Sequence, residues 1–199
     1  MPKICSLAFL PGPERPDPPG AEVHVWRADL DAARWPGAGG LPEDEQQRAA
    51  DILIPLARRR WVASRWALRG VLRRYLGRSA TIRFETGEHG KPRLAAATSE
   101  LAFNLSHSEA VVLIAVAGDR EVGVDVQRIA TKRPEAFYEC WAEREARVKC
   151  LGTGLAGPPP EIAELAVQRL DPGPGYAASV AVAHPPAALR CWTIDPPLR

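Results

Sequence analysis

Two short stretches decide the fold: Gly-Val-Asp-Val-Gln at residues 123–127 and Trp-Ala-Glu-Arg-Glu-Ala-Arg-Val-Lys at residues 141–149. In the first stretch, valines alternate with glycine, aspartate and glutamine. This alternation predicts a half-buried strand whose valines face the core. On such a strand Asp125 and Gln127 point the same way, about 7 Å apart.

The second stretch has a helical spacing. Trp141, Glu145 and Lys149 stand four residues apart, so they share one face of a helix. A strand carboxylate and a helix carboxylate, with a lysine one turn on, could hold a hard divalent cation beside a phosphate. The alternative is an edge-strand Asp125 with an unrelated Glu–Lys pair on the protein surface.

Composition places the chain among ordinary globular proteins. It has 199 residues, of which 46% are hydrophobic and 25% charged, and a net charge of +2. Its four cysteines lack zinc-like or redox spacing, which favours free thiols in a reducing compartment. The apolar run from Ile4 to Leu10 is too short for a membrane span and lacks a cleavage-site pattern. We therefore expect a cytoplasmic protein with no membrane contact.

Positive charge is concentrated in one segment. Between Ile52 and Phe84 there is no acidic residue, and a helix is predicted from Leu56 to Leu76. One stripe of this helix is basic and comprises Arg58, Arg65, Arg69 and Arg73. It is either a solvated face with some guanidinium groups paired to acids elsewhere, or a face on which one or two arginines meet a phosphate. A nucleic-acid contact is disfavoured, because interleaved exposed aromatics and a known reading motif are missing.

The remaining patterns predict strands in both halves of the chain. An antiparallel meander is expected from Leu101 to Val126, with His107 in its first connection among hydroxyl and backbone N–H groups that could bind an anion. Three further strands are predicted near the C-terminal end, at 165–170, 176–183 and 189–194.

The two halves look alike in plan. We therefore predict an α+β protein made of a pseudo-twofold pair of similar α/β lobes, residues 1–108 and 109–199. Each lobe would be a small, mostly antiparallel sheet packed on helices, with a ligand cleft between the lobes. Two such lobes would mimic a dimer interface within one chain, which favours a monomer.

Four motifs carry a resemblance to a known family, and with their surroundings they cover roughly residues 22–183. They are Gly-Lys-Pro at 90–92, Phe-Asn-Leu-Ser-His-Ser at 103–108, Gly-Val-Asp-Val at 123–126, and Trp-x-x-Arg-Glu-Ala-x-x-Lys at 141–149 followed by Gly-x-Gly-Leu at 152–155. In this order the chain resembles the 4′-phosphopantetheinyl transferases of the larger, surfactin-synthetase-activator type.

The resemblance implies a reaction and its partners. A serine hydroxyl of an apo carrier protein would attack the β-phosphate of coenzyme A, and 3′,5′-adenosine bisphosphate would leave. It also implies that Mg²⁺ is needed and that coenzyme A binds between the lobes. No nucleic acid takes part.

The resemblance also implies roles for individual residues. Asp125 and Glu145 match the magnesium-binding carboxylates, and Glu145 would also take the serine proton. Lys149 matches a lysine near the transferring phosphate. His107, with Ser106 beside it, matches a contact to the coenzyme A phosphates, and Lys91 and Pro92 match the segment beside the adenine nucleotide.

The chain departs from the family pattern in several places. Gln127 stands where many members have a glutamate, so a third metal ligand there would be neutral, and Arg144 replaces a lysine. Only 13 residues separate Gln127 from Trp141, where many members carry a longer segment that helps to dock the carrier. A basic residue followed by Asp is missing near Leu56, which leaves Arg48 or Arg58 for the 3′-phosphate. A coenzyme A-binding relative that senses or scaffolds without catalysis is therefore the alternative.

Overall fold

The computed structural model describes residues 8–87, 90–95, 101–118, 120–152 and 165–196. Within these ranges the protein has an α+β fold with three helices and three sheets. The helices are α1 (Glu43–Asp51), α2 (Pro55–Leu76) and α3 (Glu135–Leu151). The strands are β1 (Leu10–Pro11), β2 (Val23–Asp29), β3 (Phe84–Thr86), β4 (Pro92–Leu94), β5 (Ala102–Ser108), β6 (Val111–Ala117), β7 (Val122–Arg128), β8 (Ala166–Leu170), β9 (Tyr176–Val182) and β10 (Leu189–Thr193).

Two sheets and two helices form the body of the molecule. The larger sheet has the order β1-β10-β2-β6-β5, and the smaller has the order β7-β9-β8. Helix α2 packs on one face of the larger sheet, and the valines of β7 and β9 pack on its other face. Helix α3 covers the outer face of the smaller sheet. The order of layers is therefore helix, sheet, sheet, helix.

The predicted meander is wrong in its last strand. β5 and β6 form an antiparallel hairpin, but β7 pairs with β9 in the other sheet. His107 is also not in a connection, because it lies in β5 opposite Val112. The turn is formed by the two residues after β5, and Glu109 takes the left-handed conformation with φ of 48°. Sequence neighbourhood favoured a β6–β7 hairpin, whereas burial of the β7 valines required the second sheet.

Side chains of β5 join the two sheets. The Val124 N–H donates to Asn104 Oδ1 at 2.9 Å, the Val126 N–H to Ser106 Oγ at 3.4 Å and the Arg128 N–H to Ser108 Oγ at 2.9 Å. These backbone N–H groups point away from β9, the partner strand of β7. They lie at the edge of the smaller sheet, which would otherwise be unpaired. The polar side chains of β5 thus fix β7 beside it.

The division at residues 108 and 109 remains a prediction, as does the pseudo-twofold relation. The larger sheet takes strands from both sides of that division, since β6 and β10 belong to it. It is also mixed, not mostly antiparallel, because β10 runs parallel to β2. β10 comes from the far end of the chain, and a long connection permits the parallel direction.

Two arginines of the basic stripe of α2 are paired with an acid of α1. Arg69 Nε donates to Glu45 Oε2 at 2.9 Å, and Arg65 pairs with the other oxygen of the same carboxylate. Glu45 is 5% exposed, so this is a buried pairing between α1 and α2. The predicted pairing of some guanidinium groups with acids elsewhere is confirmed.

Some predicted segments lie outside the described residues. They are residues 4–7 of the N-terminal apolar run and the Gly-Leu pair at 154–155 that ends the fourth motif. Across the described ranges, no helix combines the length and the apolar character that a membrane crossing requires.

Candidate active site

Strand β7 and helix α3 bring two acids close enough for their charges to interact. Asp125, 1% exposed, lies on the face of β7 that α3 covers, and Glu145, 8% exposed, lies on the buried face of α3. The close approach depends on Gly123, two residues before Asp125. A Cβ atom there would lie 2.1 Å from the Ala146 carbonyl oxygen, so only glycine fits.

Asp125 is the centre of a polar cluster. Its Oδ1 accepts from Lys149 Nζ at 2.5 Å and from Ser106 Oγ at 2.8 Å, and its Oδ2 accepts from Gln127 Nε2 at 2.7 Å. Lys149 Nζ also donates to Ser106 Oγ at 2.9 Å. Four of the predicted site residues are therefore in direct contact, although they come from three separate elements of the chain.

The carboxylates of Glu145 and Asp125 differ in their hydrogen bonding. The Oε1 atom of Glu145 is buried and has no hydrogen-bond partner among the described residues. Burial raises the pKa of Glu145 and the charge of Asp125 raises it further, while Lys149 and Arg144 oppose the rise. A buried carboxylate without a partner is costly for the fold. It is also the arrangement expected of a group that accepts a proton or a cation.

A serine that the sequence patterns did not single out belongs to the same region. Ser179 lies directly opposite Asp125 in the β7–β9 ladder, so the two side chains share one face of the sheet. Ser179 is 1% exposed, and within the described ranges its hydroxyl oxygen has no hydrogen-bond partner. Two unpartnered buried oxygens therefore lie beside the Asp125 carboxylate.

His107 lies in β5 one residue after Ser106. Its side chain is exposed, but neighbouring protein atoms displace part of the water around the ring. This desolvation lowers the pKa of His107, and the Lys149 ammonium lowers it further. The histidine is therefore near the positive charge of the cluster, and both causes favour its neutral form.

The predicted contact residues Lys91 and Pro92 occupy another place. The Lys91 ammonium donates to Glu121 Oε2 at 2.6 Å and to the carbonyl oxygens of Val122 at 3.1 Å and Cys150 at 3.2 Å. Its side chain is 8% exposed. Lys91 thus connects the start of β7 to the last turn of α3, and Pro92 begins β4 beside it.

The two arginines predicted for a 3′-phosphate have no contact with the Asp125 cluster. Arg48 is exposed on α1, and Arg58 donates from Nε to the Ile52 carbonyl oxygen at 2.9 Å. Arg58 therefore satisfies a carbonyl beyond the end of α1. The assignment of either residue to a phosphate remains a prediction.

Comparison with known proteins gives the family. The chain is 31% identical over 180 aligned residues to the 4′-phosphopantetheinyl transferase HetI of Nostoc sp., an alignment that covers 74% of this chain and 76% of HetI. The chain belongs to the 4′-phosphopantetheinyl transferase family. A second relative, slr0495 of Synechocystis sp., is itself named provisionally as such a transferase. It is 27% identical over 165 residues, which cover 68% of this chain and 67% of the relative. No family model matches the chain.

The chain is an enzyme, because it belongs to the 4′-phosphopantetheinyl transferases. The carboxylates of its acid cluster are suitable ligands for a divalent cation. In the described ranges no group of three or more His, Cys, Asp or Glu side chains is positioned to bind a metal. Magnesium, however, is usually held by one or two carboxylates together with waters and substrate phosphates. Asp125 and the unpartnered Oε1 of Glu145 supply the carboxylates. Gln127 presents its amide nitrogen to Asp125, so its role as a ligand remains a prediction.

Two features of this transferase site lay beyond the sequence motifs. Ser179 carries no motif, and only its register opposite Asp125 reveals it. The Lys91 contacts were also missed, because the carbonyl groups that it binds come from two other elements. The alternation of Asn104, Ser106 and Ser108 was a usable signal, since its period of two matches that of β7.

Proposed function

We propose that this transferase moves the 4′-phosphopantetheine arm of coenzyme A to a serine hydroxyl of an apo carrier protein. The reaction needs Mg²⁺ and releases 3′,5′-adenosine bisphosphate, and the enzyme is of the larger, surfactin-synthetase-activator type. The observation that carries this proposal is the buried Glu145 carboxylate, with one unpartnered oxygen, beside the Asp125–Lys149 ion pair.

The chemistry requires one proton to leave the acceptor. The serine oxygen forms a bond to the β-phosphorus of coenzyme A, and the bond from that phosphorus to the bridging oxygen breaks. The electron pair leaves with 3′,5′-adenosine bisphosphate. Glu145 is the base for the serine proton, because its raised pKa makes the carboxylate a better proton acceptor than an ordinary glutamate.

The other residues of the cluster hold Asp125 in position and offset negative charge. Lys149 carries positive charge beside Asp125, where it can offset the charge of a transferring phosphoryl group. Ser106 and Gln127 hold the two oxygens of Asp125 in place by donating to them. A Mg²⁺ ion held by Asp125 and Glu145 would neutralise the pyrophosphate, with Gln127 as a further, neutral ligand.

We place coenzyme A at the join between the proposed lobes, residues 1–108 and 109–199, with the phosphates near His107 and Ser106. Lys91 and Pro92 lie beside the adenine nucleotide, and Arg48 or Arg58 meets the 3′-phosphate. A neutral His107 can gain a proton when a phosphate approaches, because a nearby anion raises a histidine pKa. The enzyme is proposed to work as a cytoplasmic monomer on acyl, peptidyl or aryl carrier proteins.

The test is a carrier-loading assay read by mass spectrometry. Wild-type protein, coenzyme A and Mg²⁺ should add the mass of one phosphopantetheine group to at least one member of a panel of apo carriers. Glu145→Gln should lose the activity, and chelation of Mg²⁺ should abolish it. Glu143→Gln is the matched control, since Glu143 is on the same helix but pairs with Arg169 at 2.5 Å. The proposal fails if no carrier gains mass at high enzyme concentration.

A coenzyme A-binding relative without transfer activity is the second candidate. It is favoured by the short connection between Gln127 and Trp141 and by the neutral side chain at position 127. Calorimetry separates the two functions. Tight coenzyme A binding together with no mass gain on any carrier would select the non-catalytic protein.

A further inference from the structure

A cavity lies away from the acid cluster. It has a volume of 660 Å³, and we call it the α2 cavity because one face of α2 forms its floor. Trp66, Arg73 and Arg74 contribute to this floor, while Trp35 and Asp195 line it from other parts of the chain. None of the residues that line it belongs to β5, β7 or α3. A cavity of this size suits a small organic molecule.

Arg73 is unlike the other arginines of α2. Each of the others donates to an oxygen: Arg58, Arg59, Arg60, Arg65, Arg69 and Arg74. Arg73 Nε is buried and has no hydrogen-bond partner, and its guanidinium group forms no ion pair with any described residue. A buried donor without a partner costs about 1–3 kcal/mol. The planar fork of this guanidinium is therefore available for a carboxylate or a phosphate.

The charge of the cavity favours an anion. Four arginines line it and only two acids do, which leaves an excess of two positive charges (4 − 2). One of the acids, Glu14, already pairs with Arg78 at 2.9 Å. Burial lowers the pKa of Arg74, so its charge is held in a poorly hydrated place. An anionic group would relieve that cost, whereas a metal cation would increase it.

Two indole rings give the cavity aromatic walls. Trp35 Nε1 donates to the Asp29 carbonyl oxygen at 2.7 Å, and Trp66 Nε1 donates to the Gly37 carbonyl oxygen at 3.1 Å. These bonds hold both rings in place and leave no polar group of theirs to satisfy. Fixed indole rings offer apolar surface and stacking contacts to a planar ligand.

We propose that the α2 cavity is a binding site for a small planar aromatic anion, with the Arg73 guanidinium as the anchor for its carboxylate or phosphate group. The aromatic part of the ligand lies against Trp35 and Trp66. This site is separate from the proposed transfer reaction, and its occupancy is measured as binding, without reference to carrier loading.

Naphthoate, naphthyl phosphate and the neutral naphthamide test the site by calorimetry and by the indole N–H signals of Trp35 and Trp66 in NMR spectra. The two anions should bind and shift those signals, while the amide should not. The stronger of the two anions identifies the head group that the cavity prefers.

Arg73→Gln should weaken binding of the preferred anion by at least about tenfold, the loss expected for one charge-assisted hydrogen bond. Arg59→Gln is the control, because Arg59 is on the same helix but pairs with Asp31 outside the cavity. Arg73→Gln removes a buried donor that has no partner among the described residues, so it should not lower Tm. Failure of both anions to bind, equal binding of the amide, or equal losses in the two variants would overturn the proposal.

Discussion

The contact of Gly123 with helix α3 makes the geometry of the acid cluster sensitive to a single methyl group. In Gly123→Ala the added Cβ would lie 2.1 Å from the Ala146 carbonyl oxygen and 2.3 Å from the Cys150 backbone nitrogen. Both are backbone atoms of α3, so neither can rotate away. Because ordinary contacts begin near about 3.5 Å, β7 and α3 would have to separate by roughly 1 Å.

Such a separation should affect stability and activity together. An extra methyl group in a well-packed place costs about 1–3 kcal/mol. For a chain of this size, each kcal/mol lowers Tm by roughly 2–4 °C. The same movement draws Glu145 and Lys149 on α3 away from Asp125 on β7. A displacement of about 1 Å can cost on the order of 100-fold in rate, so we expect a loss of that size in carrier loading.

Thermal unfolding and the loading rate, measured well below Tm, check both effects. Gly70→Ala is the matched control, since the new Cβ would meet Ile194 Cδ1 at 3.4 Å, an ordinary contact with a side chain. Within a helix this change should stabilise by about 0.5–1 kcal/mol and leave loading unchanged. A Gly123→Ala protein with wild-type Tm and wild-type loading would refute the proposed packing of α3 on β7.

Three further substitutions and one control test other parts of the structure. Glu145→Gln should raise Tm at neutral pH, because the folded carboxyl has a raised pKa. The protonated Glu145 carboxyl stabilises the fold fully below the ordinary pKa of 4.5, and this stabilisation is lost as the pH rises through the folded pKa. The rise in Tm of Glu145→Gln should therefore vanish in thermal scans at acid pH. Lys91→Met should destabilise by about 1–3 kcal/mol in urea unfolding, since buried carbonyl groups lose their donor. The exposed Arg93→Met, which loses the same Glu121 partner, should change stability by less than about 1 kcal/mol. Glu45→Gln should cost about 3–5 kcal/mol in the same assay, because it leaves the buried Arg69 and the partly buried Arg65 without their carboxylate; a change near zero would contradict the buried pairing.

The local elements were predictable because each has its own periodicity. Helix α2 begins at Pro55 and ends at Leu76, within one residue of the predicted bounds, since proline favours the first helical turn and Gly77 ends it. The strand with Asp125 was also predicted from the alternation of its valines, and the helix with Glu145 from the four-residue spacing of Trp141, Glu145 and Lys149. A regular spacing of residues within one element shows which of its faces is buried.

Pairing between distant elements was not predictable in the same way. β7 lies next to β6 in sequence, yet it pairs with β9, because no single-sequence pattern ranks a nearby partner against a distant one. The parallel β10–β2 pair and the position of Ser179 depend on the same long-range choice. The nearness of Asp125 and Glu145 was predicted from the strand and helix spacings together with the family resemblance, and the close packing of β7 on α3 depends on Gly123.

A calorimetric titration of Mg²⁺ into the protein with coenzyme A present tests the central claim most directly. The claim is that Asp125 and Glu145 hold one cation beside the pyrophosphate. Wild type and Glu143→Gln should bind Mg²⁺ with the same affinity, whereas Asp125→Asn and Glu145→Gln should each lose most of that affinity while coenzyme A still binds. Unchanged Mg²⁺ affinity in both acid variants would contradict the account.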